Sequence, residues 1–175
     1  MHNSSDHFLI GAAQGYSPAI ADLVSMMNYA RATTLQTVAG LSVAQLDHLH
    51  DAESNSIGTL LFHMAAAETV YSIITFLGRE PTKEDLAAWD VALNMGAPAR
   101  EQIRGNDQAF YLDKLAEVRR NTLREFAVRD DAWLRTQVEF RPGQPANYFF
   151  MWFHVCEDEI NHRGQIRWLR KRLPK

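Results

Sequence analysis

Prolines stand only at positions 18, 81, 98, 142, 145 and 174 of the 175-residue chain, and this placement constrains the fold more than any other feature. A proline inside a helix removes a hydrogen bond and clashes with the preceding turn, so long stretches between these positions are free to be helical. Pro18 follows Ser17 as a first-turn proline, and Ile20, Leu23, Val24, Met27, Leu35 and Val38 recur at helical spacing as far as Gly40. Ser42 with Gln45 has the form of a capping box on one short turn, and the polar run 47–55 reads as a connection. A second long helix is expected from about Ser54–Ser56 to Gly78. Thr82 and Asp85 can cap a short helix through Leu93, after which Gly96, Pro98, Gly105 and Asn106 predict a loop of about a dozen residues. Leu112, Leu115, Leu123 and Phe126 form one face of a third long helix, with Arg119 at the edge of the stripe. Val138 to Phe140 predicts a short extended piece before the turn at Pro142-Gly143. Ala146 to Arg170 then makes a fourth helix about 37 Å long.

Each apolar stripe must bury itself against another, so these patterns predict an all-α fold: a four-helix bundle with a short extra helix in the central crossover. The expected organisation is one domain over 1–175, with 1–16 loosely ordered. At this length a core needs no covalent staple, and the lone Cys156 can form no internal disulfide. That points to a reducing cytoplasm. Lys and Arg number 18 against 21 Asp and Glu, a formal charge of −3, which argues against nucleic acid as a partner. The start, Met1 to His7, lacks the basic region of an export signal. The most apolar window, Ser56 to Gly78, carries His63 and Glu68 near its middle; a bilayer disfavours both, so the window reads as a buried helix and not a membrane span.

The fourth helix departs from a simple core pattern. In steps of four and three, one stripe runs Met151, Val155, Asp158, His162, Gln165, Leu169, placing three polar residues in a seam with apolar ends. The second helix does the same with Leu60, His63, Ala67, Val70 and Ile74, where His63 alone is polar. Burying such groups without a partner costs several kcal/mol, and a shared metal ion is an economical partner. Asp158 and His162, at i and i+4, reach one ion together, and His63 supplies a third ligand from a facing helix. Two imidazoles and a carboxylate leave positions open for water or substrate, as catalytic sites do. The same residues also fit a plain Asp–His ion pair beside a hydrogen-bonded core histidine. His154, one turn before Asp158, reads as a supporting residue or pocket wall, and Gln165 as support to the ligands. Glu68 is the candidate proton acceptor, or an exposed helix charge. Glu157 and Glu159 read as solvated or paired with Arg163. Tyr148, Phe149, Phe150, Trp152 and Phe153 read as core and subunit contact, and Cys156 faces away from the seam.

The segment His154-Val155-Cys156-Glu157-Asp158-Glu159-Ile160-Asn161-His162-Arg163-Gly164-Gln165-Ile166 resembles the last-helix signature of the DinB/YfiT-like superfamily of metalloenzymes. Leu61-Phe62-His63-Met64-Ala65-Ala66-Ala67-Glu68 resembles its second-helix signature, and the similarity runs from about 17 to 172. The resemblance implies a DinB-type bundle, often a homodimer, that holds a divalent ion on three histidines. His63 and His162 match two of those ligands, and the third family position falls on Asp158. A set of two histidines and a carboxylate suits zinc first, then nickel, iron or manganese. The activities implied are transfer or isomerisation with small-molecule thiols such as mycothiol or bacillithiol, and metal-dependent hydrolysis. The leading expectation is a thiol-dependent transferase acting on a small-molecule thiol and an electrophile. The alternatives are a metal-dependent hydrolase and a non-catalytic, stress-related dimeric bundle with a degenerate site.

Overall fold

The computed structural model describes residues 8–174, so the expectation of loose order over 1–16 lies partly outside the described residues. Four long helices dominate: α1 (Pro18–Val38), α3 (Ile57–Phe76), α7 (Gln108–Phe126) and α9 (Tyr148–Arg170). Between them lie α2 (Val43–Leu46), α4 (Lys83–Leu86), α5 (Asp90–Asn94), α6 (Gly96–Gln102), α8 (Asp131–Leu134) and a hairpin of β1 (Gln137–Arg141) and β2 (Gln144–Asn147). The all-α bundle expected from the sequence is therefore the observed fold.

Side-chain oxygens set the helix starts. Ser56, Asp107 and Asn147 each accept a hydrogen bond from the backbone N–H three residues on, opening α3, α7 and α9. The capping box of Ser42 and Gln45 on α2 is present. Ser17 does not cap α1; instead Asp131 of α8 accepts from the Ala19 N–H at 3.0 Å and from the Ser17 hydroxyl at 2.5 Å. A distant carboxylate thus occupies the positive end of α1.

Contacts along the helices give their directions. Arg31 meets Glu159, and Thr33 meets Arg163 further on, so α1 and α9 run parallel. Gly58 lies against Tyr111 and Glu68 against Arg119, so α3 and α7 also run parallel. His63 neighbours His162 while Tyr71 neighbours His154, so α3 and α9 are antiparallel. Two successive parallel helices require a return crossover, and residues 77–107 supply it. The short helix expected from Thr82 to Leu93 is two pieces, α4 and α5, and the loop expected after Gly96 contains a helix of its own, α6. Neither Gly nor Pro excluded that helix, because Gly96 is its first residue and Pro98 lies in its first turn. The fourth helix begins two residues later than expected, since Gln144–Asn147 pair with β1.

The core has two apolar layers. One gathers Val38, Leu46, Leu61, Met64, Tyr111 and Ile166; the other gathers Ile20, Leu23, Met27, Phe126, Leu134 and Trp152. Between them, one charged residue from each long helix is buried: Arg31, Glu68, Arg119 and Glu159. The edge position expected for Arg119 and the solvated or Arg163-paired state expected for Glu159 are both corrected, because they answer each other across this layer. The helix α3 is long and apolar enough to cross a membrane by length and composition, yet it packs here on α7 and α9 with Glu68 fully buried.

At Gly58 the backbone of α3 lies directly against Tyr111 of α7. A Cβ there would lie 2.6 Å from the Tyr111 hydroxyl and 2.8 Å from its ring, and Tyr111 is fully buried. Gly58→Ala is therefore expected to destabilise the protein by about 1–3 kcal/mol through overpacking, in spite of alanine's better helix propensity. Denaturant unfolding of the variant checks this.

Candidate metal centre

The polar seam of α9 and that of α3 meet. The Nε2 of His162 lies 3.1 Å from Asp158 Oδ1, the Nε2 of His63 lies 3.7 Å from Asp158 Oδ2, and the two imidazole rings stand 4.8 Å apart at 79°. Potential ligand atoms of the three residues all lie within 4.8 Å of one another. Tetrahedral zinc with bonds of ~2.0–2.1 Å spaces its ligands about 3.3 Å apart, so the two contacts to Asp158 straddle the separation an ion needs.

The outer edges of both rings are occupied. His63 Nδ1 lies 2.9 Å from the carbonyl oxygen of Ala92 on α5, which must accept its hydrogen. His162 Nδ1 lies 3.2 Å from Gln165 Oε1, one turn further along α9. With Nδ1 so engaged, Nε2 is the atom each ring turns toward Asp158. This is the arrangement that fixes the tautomer of metal-binding histidines. The crossover thus has a direct task, since it brings the Ala92 carbonyl to His63.

Electrostatics separate the two imidazoles. Burial, only partly offset by the Ala92 carbonyl and by Asp158, pushes His63 below its ordinary value and keeps it neutral. Burial also opposes charge on His162, but the Asp158 carboxylate outweighs it and raises that ring above its ordinary value. Burial would raise Asp158 in turn, yet its bond to His162 holds the carboxyl below the usual range. The donor set therefore offers one carboxylate and one neutral ring outright.

A cavity of about 550 Å³ opens beside the trio and is lined by both His63 and Asp158. Ala67, Val70 and Ile74, read from the sequence as the rest of a core-facing seam, line this cavity instead. His154 is part of the cavity wall, its Nδ1 lying 3.2 Å from Glu157. Gln165 is the residue that meets His162 Nδ1. Glu68, the candidate proton acceptor, is not brought to the trio or the cavity, and it is not the exposed charge of the other reading. Its oxygens accept hydrogen bonds from Arg119 Nε at 2.8 Å, Arg119 Nη2 at 3.2 Å and Arg31 Nη2 at 3.1 Å, which leaves it poorly placed to accept a proton. Cys156 is buried, and burial pushes its thiol up to about 11, in keeping with an inert side chain. Of the expected aromatic core, Tyr148 and Trp152 are buried but Phe150 and Phe153 are 41% and 48% exposed.

The sequence reading did not single out Tyr71, which lines the cavity from α3 and packs edge-on to His154 at 5.8 Å. Its position one residue past Val70 on the lining face was the available signal.

Comparison with known proteins agrees with this architecture. A conserved protein of Enterococcus faecalis, known from a crystal structure, superposes with a TM-score of 0.67 over 85% of this chain and 93% of that one, at 16% identity. At that identity the likeness concerns the fold alone. No curated protein matches the sequence. The family model described as Mycothiol-S-transferase matches residues 22–174, a span that includes all four long helices nearly complete and every member of the trio, and the chain accordingly belongs to this DinB/YfiT-like family.

Proposed function

We propose that this protein is a metal-dependent transferase that joins a small-molecule thiol to an electrophile, with His63, Asp158 and His162 as ligands of a divalent ion, zinc first. The family described as Mycothiol-S-transferase supports the reaction class. The observation that carries the site is that both imidazoles have Nδ1 held by a carbonyl oxygen and Nε2 turned to a shared carboxylate. Bound there, a divalent ion would lower the pKa of a thiol toward neutrality and favour the nucleophilic thiolate. One carboxylate leaves the ensemble with a net positive charge that suits an anionic sulfur. The chain's own groups do the rest: the Ala92 carbonyl and the Gln165 side chain orient the rings, Asp158 faces the cavity, and apolar groups such as Ala67, Val70 and Ile74 line the adjoining space. In the overall reaction the thiol S–H bond breaks and a sulfur–carbon bond forms; where the carbon bears a displaceable group its bond to that group breaks and the group departs with the proton, and where the electrophile is a conjugated carbonyl compound the carbon–carbon π bond opens and the proton ends on the α-carbon. A reducing cytoplasm, where such thiols persist, is part of this reading.

The test strips the protein with chelator, reloads it with zinc and follows consumption of mycothiol, and separately bacillithiol, with a bromobimane electrophile. Zinc uptake near one equivalent and zinc-dependent conjugation are expected. Failure to take up any transition metal would overturn the proposal, as would zinc-dependent turnover of an ester and amide panel without thiol in place of conjugation.

A further inference from the structure

The cavity beside the trio extends well beyond it, and its outer part has a chemistry of its own. Tyr71 lies eight residues after His63 on α3, about 12 Å along the axis. His154 faces it from α9, and the hairpin closes the side with Val138 and Phe140. The walls between are aliphatic, from Val70, Ile74, Leu93 and Met151. Rings crowd the far end. The His154 ring is parallel to Phe150 within 2° at 6.2 Å and lies edge-on to Tyr71 at 5.8 Å and to Phe140 at 6.4 Å.

The charged groups at the rim are unfavourable to anions. Arg79, the cationic side chain in the lining, is already engaged by Asp85 at 2.5 and 3.2 Å, and Arg141 lies beside the cavity with its guanidinium over the Phe140 ring at 5.6 Å. Three carboxylates line the cavity, those of Glu80, Glu139 and Asp158, and Glu139 accepts from the Gly143 N–H at 2.6 Å. What remains in the lining to hold a ligand is the Tyr71 hydroxyl, with the His154 ring, oriented by Glu157, as a flat wall. Burial, and next the Asp158 charge, raise the Tyr71 phenol further above its ordinary value, so it stays a neutral donor.

We propose that this outer chamber is the subsite for the electrophile, and that it selects flat, uncharged, conjugated carbonyl compounds about two fused rings long. The carbonyl oxygen accepts from the Tyr71 hydroxyl, the ring system lies between the hairpin and α3 against the His154 ring, and the unsaturated carbon points toward the trio. A ligand so placed spans the distance from phenol to metal ligands, and a sulfonate or carboxylate on it would meet three carboxylates in the lining against the one guanidinium of Arg141 beside it. The orientation toward a thiol rests on the function proposed above; the chamber's selectivity does not.

The test therefore uses metal-free protein in the presence of chelator, and an uncharged carbonyl dye, 6-propionyl-2-dimethylaminonaphthalene, whose emission shifts to the blue in apolar surroundings. Saturable, blue-shifted binding is expected, at least tenfold tighter than that of the anionic 1-anilinonaphthalene-8-sulfonate. Tyr71→Phe, which keeps the shape of the wall, should weaken it by about fivefold to tenfold, the value of one hydrogen bond. Ala67→Phe, which fills the chamber, should abolish it while the far-ultraviolet dichroism stays that of the parent. Equal affinity for the sulfonate, or dye binding indifferent to Tyr71→Phe and Ala67→Phe, would overturn the assignment. A protein that binds the dye as expected but takes up no metal would sink the transferase reading and leave the chamber standing.

Discussion

Glu68→Gln is expected to destabilise the protein by about 3–5 kcal/mol, the usual cost of stranding a buried charge. The ionic layer is built so that no member can leave quietly. Arg31 on α1 donates to Glu159 of α9 at 2.8 Å, to the Leu115 carbonyl of α7 at 2.7 Å and to Glu68 of α3 at 3.1 Å. Arg119 on α7 donates to Glu68, to the Met27 carbonyl of α1 at 3.0 Å and to Glu159 at 3.2 Å. Each guanidinium thus touches the other three long helices, and two positive charges balance two negative ones between apolar layers. Neutralising Glu68 leaves two arginines facing one carboxylate in a place water cannot reach. Urea unfolding at neutral pH measures the loss. Lys114→Ala, at the exposed pair with Glu117, should scarcely move the midpoint.

The same layer sets the response to acid. Burial alone would raise the Glu68 carboxyl, but the guanidinium groups of Arg119 and Arg31 outweigh it and hold the group below its ordinary 4.5. A carboxyl with a depressed folded value contributes its full stability above the unfolded value, and that contribution is lost as pH falls through the folded one. Parent stability should therefore decline with falling pH below about 4.5, and Glu68→Gln, already without this contribution, should show a flatter acid limb. Equal slopes for the two proteins below that pH would show that the layer does not govern acid unfolding.

Why the bundle was legible and the layer was not follows from what periodicity records. Prolines and stripes of apolar residues placed the ends of α1, α3 and α9 within two or three residues, and marked α7 by a stripe that begins at Leu112, four residues into the helix, because amphipathic burial is local information. The trio was legible for a related reason, since polar residues at seam positions of two helices were the exceptions to that periodicity. Arg31 and Arg119 left a weaker trace, as gaps in the α1 stripe between Met27 and Leu35 and in the α7 stripe between Leu115 and Leu123. A gap in one helix reads as an exposed edge; only the packing shows that four gaps fall at one level and cancel in charge. The seam of α3 was similarly misread beyond His63, because Val70 and Ile74 are as apolar on a cavity wall as in a core. The Ala92 carbonyl had no signal at all, being backbone delivered by a crossover whose helices are too short to announce themselves.

Removing a proposed ligand should separate metal binding from folding. His63→Leu is expected to lower zinc affinity more than about 100-fold, beyond the 10–100-fold cost of losing a supporting hydrogen bond to a ligand. Gln165→Ala, which frees His162 Nδ1 while keeping Nε2 beside Asp158, should fall within that smaller range. Neither change strands a charge, because His63 is neutral and its loss leaves the Asp158–His162 pair at 3.1 Å intact. In chelator both variants should therefore unfold close to the parent, His63→Leu giving up one hydrogen bond to Ala92 and gaining apolar packing. Zinc distinguishes them. At a free concentration 100 times the parent's Kd it should add about 2.7 kcal/mol to parent stability and almost nothing to His63→Leu. Thermal unfolding with and without zinc reads both effects in one experiment. A zinc-induced rise in Tm of equal size in parent and His63→Leu would place the ion elsewhere on the molecule and leave the trio as a hydrogen-bonded seam between α3 and α9.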